Sequence, residues 1–196
     1  MVLRRLRRAG DDMTRFAAFL LSLLFSFPAV AAGEVETPNE MVILTVGGTI
    51  GESNRGPLDS KRDSLLAFHQ LGFKRAFAFD RAMLLSLPQG TVTAQPPEFD
   101  APATFKGPLL RELLGKVEAA KLKITFVAVN GYTGWLTPED VDSSDWILAL
   151  EVDGKPLGIG QQGPIWAINT RAPREKASDD HRGHWVWSIF YIHVGD

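Results

Sequence analysis

Four histidines, five tryptophans and one hydroxyl-bearing glycine turn are the residues of this 196-residue chain whose types and spacing could do chemistry. Asp179, Asp180, His181 and His184 bring carboxylates and imidazoles close in sequence, a donor set suited to zinc or copper. Their spacing lacks the i, i+4 pattern that sets two imidazoles on one helix face, so the segment reads as a solvated loop entering a strand. His69 follows Leu65-Leu66-Ala67-Phe68 and reads as a helix-face histidine in apolar surroundings. Trp135 falls in the loop Gly131-Tyr132-Thr133-Gly134, and Trp166 falls where a strand leaves Gly163-Pro164. Aromatics on loops at strand ends can line a pocket, which makes these two candidates for ligand contact. Trp146 and one of Trp185 and Trp187 are accounted for as core residues. Thr45-Val46-Gly47-Gly48-Thr49-Ile50 sets hydroxyls beside glycines, but no Thr-Asp pair with a following Lys is there to activate one. It reads as a strand ending in a glycine turn. The chain has no cysteine. That removes disulfides, Fe–S clusters, thiolate-bound zinc and Cys nucleophiles. No catalytic residue and no metal ligand is assigned.

The composition, 45% hydrophobic and 22% charged, suits one globular domain and excludes collagen-like, coiled-coil and largely disordered chains. A formal charge of −2 leaves no basic footprint for nucleic acid. Residues 41–46 form a continuous β-branched run, predicting a buried strand. Asp80 caps a short helix with Met83, Leu84 and Leu87 on one face and Pro88 as its stop. Thr91-Val92-Thr93 predicts a strand, and a Pro-rich loop over residues 95–102 follows. Pro108 suits the first position of a helix whose apolar face is Leu109, Leu110, Leu113, Leu114 and Val117. Residues 124–129 predict a strand ended by the turn pair Asn130-Gly131. Thr137 and Asp140 have the spacing of a helix capping box. Residues 146–152 and 164–168 predict strands, with Asp153-Gly154 as a hairpin turn. Residues 171–183 predict a polar loop. Residues 185–194 predict a terminal strand apolar on both faces and hence central in its sheet. About six strands and three helices make an α+β fold.

The N-terminus reads as a signal peptide over residues 1–31. Arg4, Arg5, Arg7, Arg8 and Arg15 precede an apolar run over residues 16–27, then Pro28-Ala29-Val30-Ala31-Ala32 with small-residue cleavage spacing. The run is too short to span a bilayer comfortably, so no membrane span is expected after cleavage. Met13 also opens a tidy signal by itself, and translation from Met1 or Met13 stays open. The paired arginines suggest a twin-arginine signal, but Asp11 and Asp12 stand before the apolar core, which favours general export of an unfolded chain. The expected product, residues 32–196, is periplasmic or secreted and carries a net charge of −5 once five Arg and two Asp are removed.

Several short motifs come in a recognisable order: Ala78-Phe79-Asp80 to Leu87-Pro88, Thr91-Val92-Thr93, Phe105-Lys106-Gly107-Pro108-Leu109-Leu110-Arg111-Glu112-Leu113-Leu114 and Val127-Ala128-Val129-Asn130-Gly131-Tyr132. Pro138-Glu139-Asp140, Leu148-Ala149-Leu150, Asp153-Gly154-Lys155-Pro156-Leu157, Gly163-Pro164-Ile165-Trp166 and Trp185-Val186-Trp187 follow. Across residues 42–194 this order resembles the oxidoreductase molybdopterin-binding domain of the sulfite oxidase family, in a short exported form. The resemblance implies a single mixed-sheet α+β domain. It implies a molybdenum held by a cysteine thiolate and the pterin dithiolene, with the cysteine-bearing loop at residues 94–104. Here that loop reads Ala-Gln-Pro-Pro-Glu-Phe-Asp-Ala-Pro-Ala-Thr. Arg171, Arg174 and Lys176 are the basic residues available for a pterin phosphate. Without the thiolate the expectation is a non-catalytic module with no cofactor, binding a small ligand or an exported protein. Its cleft is placed at Asn130, Tyr132, Trp135, Gly163, Pro164 and Trp166. The alternative is a molybdopterin-dependent oxidoreductase whose metal has no cysteine ligand.

Overall fold

In the computed structural model, residues 35–143, 145–169 and 184–196 are described, and they hold eleven strands and four short helices. The first strand, β1 (Val42–Gly48), and the last, β11 (Ile189–Val194), pair in parallel at the middle of a five-stranded sheet. β2 (Phe77–Asp80) flanks β1, while β5 (Ile124–Ala128) and β6 (Thr133–Leu136) continue beyond β11, all antiparallel to their neighbours. The terminal strand is therefore central, and Tyr191, Ile192 and Val194 are buried.

Onto this sheet pack two helices, α2 (Arg81–Ser86) and α3 (Leu110–Lys116). α2 starts where expected, because the Asp80 carboxylate accepts a hydrogen bond from Met83 N at 2.8 Å. Such a cap stabilises a helix by about 1 kcal/mol. Met83 and Leu84, with Leu110, Leu113 and Val117, close the main core against Leu44, Val46, Phe126 and Ile192. The shorter helices are α1 (Ser64–Phe68) and α4 (Pro138–Ser143). α4 carries the expected reciprocal cap: Asp140 N donates to Thr137 Oγ1 at 3.2 Å, and Thr137 N donates to Asp140 Oδ2 at 2.9 Å.

A second layer is the four-stranded meander of β3 (Gln89–Ala94), β4 (Ala103–Pro108), β8 (Glu151–Val152) and β9 (Lys155–Pro156). β7 (Ile147–Ala149) and β10 (Trp166–Ile168) pair beside it. Val92, Phe105, Ile147, Leu157, Trp166 and Ile168 make its own core. Asp153 and Gly154 both have positive φ, 48° and 74°, as a type I′ hairpin requires.

The α+β class holds, and several elements differ from expectation. Pro108 does not open α3; it ends β4, opposite Gln89, and Leu109 is the N-cap residue. The cause lies at Gly107, where a Cβ would collide with the backbone at Leu148, so the chain stays extended to pass close to β7. β4 was hidden by the prolines before it and the Gly-Pro at its end. β6 also replaces part of the expected loop. Gly131, at φ +86°, turns the chain so tightly that Thr133 already pairs with Val127, which puts Trp135 on a strand. The segment expected as one strand over residues 146–152 divides at Leu150, whose N–H turns to Lys106 O at 2.8 Å. The terminal strand is regular only from Ile189, because Ser188 takes φ +54°. The N-terminal segment and the polar loop fall outside the described residues, as do His181, Arg171, Arg174 and Lys176. No helix among the described residues is long and apolar enough to cross a membrane.

Candidate functional site

Where β5 ends, the backbone is tied across to the approach of β11: Val129 N donates to Ser188 O at 2.9 Å. Asn130 then forms a local turn, its Oδ1 accepting from Tyr132 N at 3.0 Å while Ala128 N bonds Tyr132 O at 2.9 Å. An Asn side chain is suited to this, because its amide oxygen mimics a backbone carbonyl. The turn holds Tyr132 at the sheet end, with its hydroxyl 2.7 Å from His184 Nδ1. Which group donates follows from the imidazole tautomer. Burial pushes the Tyr132 phenol above its ordinary pKa of 10.0.

Facing this turn, Val186 is pinned to Ala167 by two backbone hydrogen bonds of 2.8 and 3.3 Å. Its side chain is buried in the main core, and its neighbours Trp185 and Trp187 are half-buried, both packed in part against the second core and Trp185 also against the main one. The Trp185 indole is oriented by Nε1 donating to Asn169 Oδ1 at 3.1 Å. The loop between β3 and β4 completes the wall. Phe99 anchors it, with its ring 5.9 Å from both Phe105 and Trp166, and this carries the exposed Glu98 to the rim. Glu98, Asn130, Tyr132, Trp185, Val186 and Trp187 thus line a cleft of about 310 Å³. That size falls at the lower end of small-ligand sites.

The six residues singled out from sequence are placed differently from one another. Asn130 and Tyr132 line the cleft. Gly163 and Pro164, joined by a cis peptide bond, lie behind it, where Gly163 O accepts from the buried Ser188 Oγ at 2.8 Å. Gly163 passes so near the Leu157 backbone that a Cβ would sit 2.6 Å from its carbonyl oxygen. Trp166 is 1% exposed inside the second core, and Trp135 packs on β6 with Lys123 Nζ 6.0 Å from its ring. Glu98, Trp185 and Trp187 were not singled out for the cleft. Their signal was two tryptophans flanking one valine, and an acidic residue in the stretch where the resemblance puts a cysteine.

His69 is structural. It caps α1, holds Val129 O at 3.1 Å through Nε2 and packs on Phe190 at 5.1 Å. Among the described residues no three His, Asp or Glu side chains are grouped to hold a metal ion. A separate groove of about 240 Å³ between α3 and α4 is chiefly apolar, with Leu114, Ala119, Leu122 and Val141, and is also lined by Arg111, Glu118, Lys121 and Asp142.

No protein-family model matches this chain, and no curated protein matches it significantly. Among solved structures, the crystal structure of the sulfane dehydrogenase SoxCD from Paracoccus pantotrophus is similar, with a TM-score of 0.52 at 15% identity. The match covers 78% of this chain and 38% of that one, so the chain spans well under half of that protein's length. At this identity the likeness is one of fold.

Proposed function

We propose that this chain is an exported, non-catalytic binding module on a sulfite oxidase-type molybdopterin-binding fold, taking a small ligand or an exported protein partner in the Tyr132–Trp187 cleft. The observation that carries this reading is Glu98. The loop where the resemblance expects a metal-binding thiolate brings a carboxylate to the cleft rim instead, in a chain without any cysteine. The fold likeness to a sulfane dehydrogenase supports the choice of fold.

The described residues of the cleft do not fit a molybdopterin held through a thiolate. A soft thiolate ligand is missing from the whole sequence. Among the described residues lining the cleft none is Lys or Arg, and a phosphate placed there would face the Glu98 carboxylate. What the cleft residues can do is bind: Asn130, the Tyr132–His184 pair and Trp185 are held by hydrogen bonds before any ligand arrives. Such pre-organisation lowers the entropic cost of association.

Metal and pterin content test the reading. The chain is purified from the exported fraction, with molybdenum measured by elemental analysis and released pterin by fluorescence. The expected result is neither above background. Near-stoichiometric amounts of both would overturn the module in favour of an enzyme.

A further inference from the structure

The cleft combines three aromatic rings with one carboxylate. Tyr132, Trp185 and Trp187 supply the rings, and Glu98 is the only charged residue among the described residues lining it. We propose that its ligand is a small organic cation, a quaternary or methylated amine whose charge lies beside Glu98 and whose apolar groups lie against the indoles. This deepens the binding-module reading above and rests on it.

Three ligand classes can be compared by their cost. An anion would meet Glu98 at close range. A neutral apolar ligand would cover the rings but strip water from the carboxylate without replacing its charge partner, which is unfavourable. An organic cation satisfies both surfaces, because ring faces attract positive charge and alkylated ammonium groups give up water readily. The rings are also held in place, Tyr132 by His184 and Trp185 by Asn169, so little side-chain freedom is lost on binding. The chain's net charge of −2 adds a weak field of the right sign.

The test uses the full chain, with tetramethylammonium and choline as probes and 3,3-dimethylbutan-1-ol as the neutral isostere of choline. Binding is followed by tryptophan fluorescence and calorimetry. Saturable binding of the cations is expected, with the neutral alcohol weaker by about tenfold or more. Glu98→Gln lies on an exposed loop. It should weaken choline by about tenfold and leave the alcohol unchanged or somewhat tighter, at an unaltered melting temperature. Trp187→Leu should weaken both cations, a second readout should either variant fold poorly. Equal affinity for choline and the alcohol, full choline affinity in Glu98→Gln, or no saturable binding of either cation would overturn the proposal. The molybdenum and pterin assay reports separately on the underlying reading: a loaded cofactor sinks the module itself, whereas a cofactor-free chain that ignores cations sinks only the ligand class.

Discussion

Residues 184–188 and 189–194 are one continuous stretch of chain in two environments. From Ile189 onward it is a strand between β1 and β5, with Tyr191, Ile192 and Val194 buried and backbone partners on both sides. Before Ser188 its backbone is bridged at Val186 to Ala167, and Trp185, Val186 and Trp187 line the cleft. Ser188, at φ +54°, separates the two. In mid-sheet, with neighbours on both sides, four of the six β11 side chains are buried and only Phe190 and His193 are half-buried. A segment with a bridge but no ladder keeps extended geometry without pairing on both edges. The cleft-lining tryptophans sit just outside the sheet, where neighbouring strands no longer pair on both sides.

If that contrast holds, the greatest losses belong to the paired half. Ile192→Ala should cost about 3–4 kcal/mol in urea denaturation, since Ile192 is fully buried in the main core. Gly48→Ala should cost about 2–3 kcal/mol, with a matching fall in melting temperature. Gly48 has φ +93°, and a Cβ would collide with Val194 O, the acceptor of Thr49 N at 2.8 Å.

At the sheet's far edge the effect is smaller and depends on pH. The Met83 N–H is the main influence holding the Asp80 carboxyl below its ordinary 3.8; burial opposes it, and the Asn39 and Glu40 N–H groups reinforce it. The unfolded chain then binds the proton more readily than the folded one. Asp80's contribution is complete above the unfolded value and is lost as pH falls through the folded one. Asp80→Asn should cost about 1–2 kcal/mol at neutral pH. Its deficit relative to the parent should shrink on acidification below about pH 4, measured by denaturation across that range.

Trp187→Leu, in the cleft half, should cost less than about 1 kcal/mol, because its indole is only half-buried. A loss above about 2 kcal/mol would erase the contrast between the two halves. The smallest change is expected from Tyr191→Phe. Its buried hydroxyl has no hydrogen-bond partner among the described residues, and burial pushes its pKa up to about 12. Removing it should leave stability unchanged or slightly raised. Because that hydroxyl fills the space a Cβ on Gly47 would take, Gly47→Ala should be milder in the Tyr191→Phe background, a coupling read from a double-mutant cycle.

Much of the scaffold was legible along the chain. Residues 41–46, Asp80 with its apolar face, the Thr137–Asp140 cap and Asp153-Gly154 each state their element through local chemistry. β4 and β6 were not legible, because proline and glycine that normally mark loops here serve close backbone approach, at Gly107 to Leu148 and in the Gly131 turn. The cleft was half legible. The turn Asn130-Gly131-Tyr132 announces itself, whereas Trp185 and Trp187 carry the same alternating pattern as the buried strand that follows them. Trp166 opens β10 and Trp187 lies just before β11, yet one is enclosed and the other half-buried.

The sequence by itself determined the α+β class, the central place of the terminal strand, the lack of any thiol and the turn that presents Tyr132. These follow from periodicity, capping and composition, which act over a few residues. Only the tertiary structure decided that Glu98, Tyr132 and Trp187 share one cleft and that Trp166 is sealed away from it. Those outcomes depend on which face meets another element across long stretches of chain, and a local pattern of apolar and polar residues does not encode that choice.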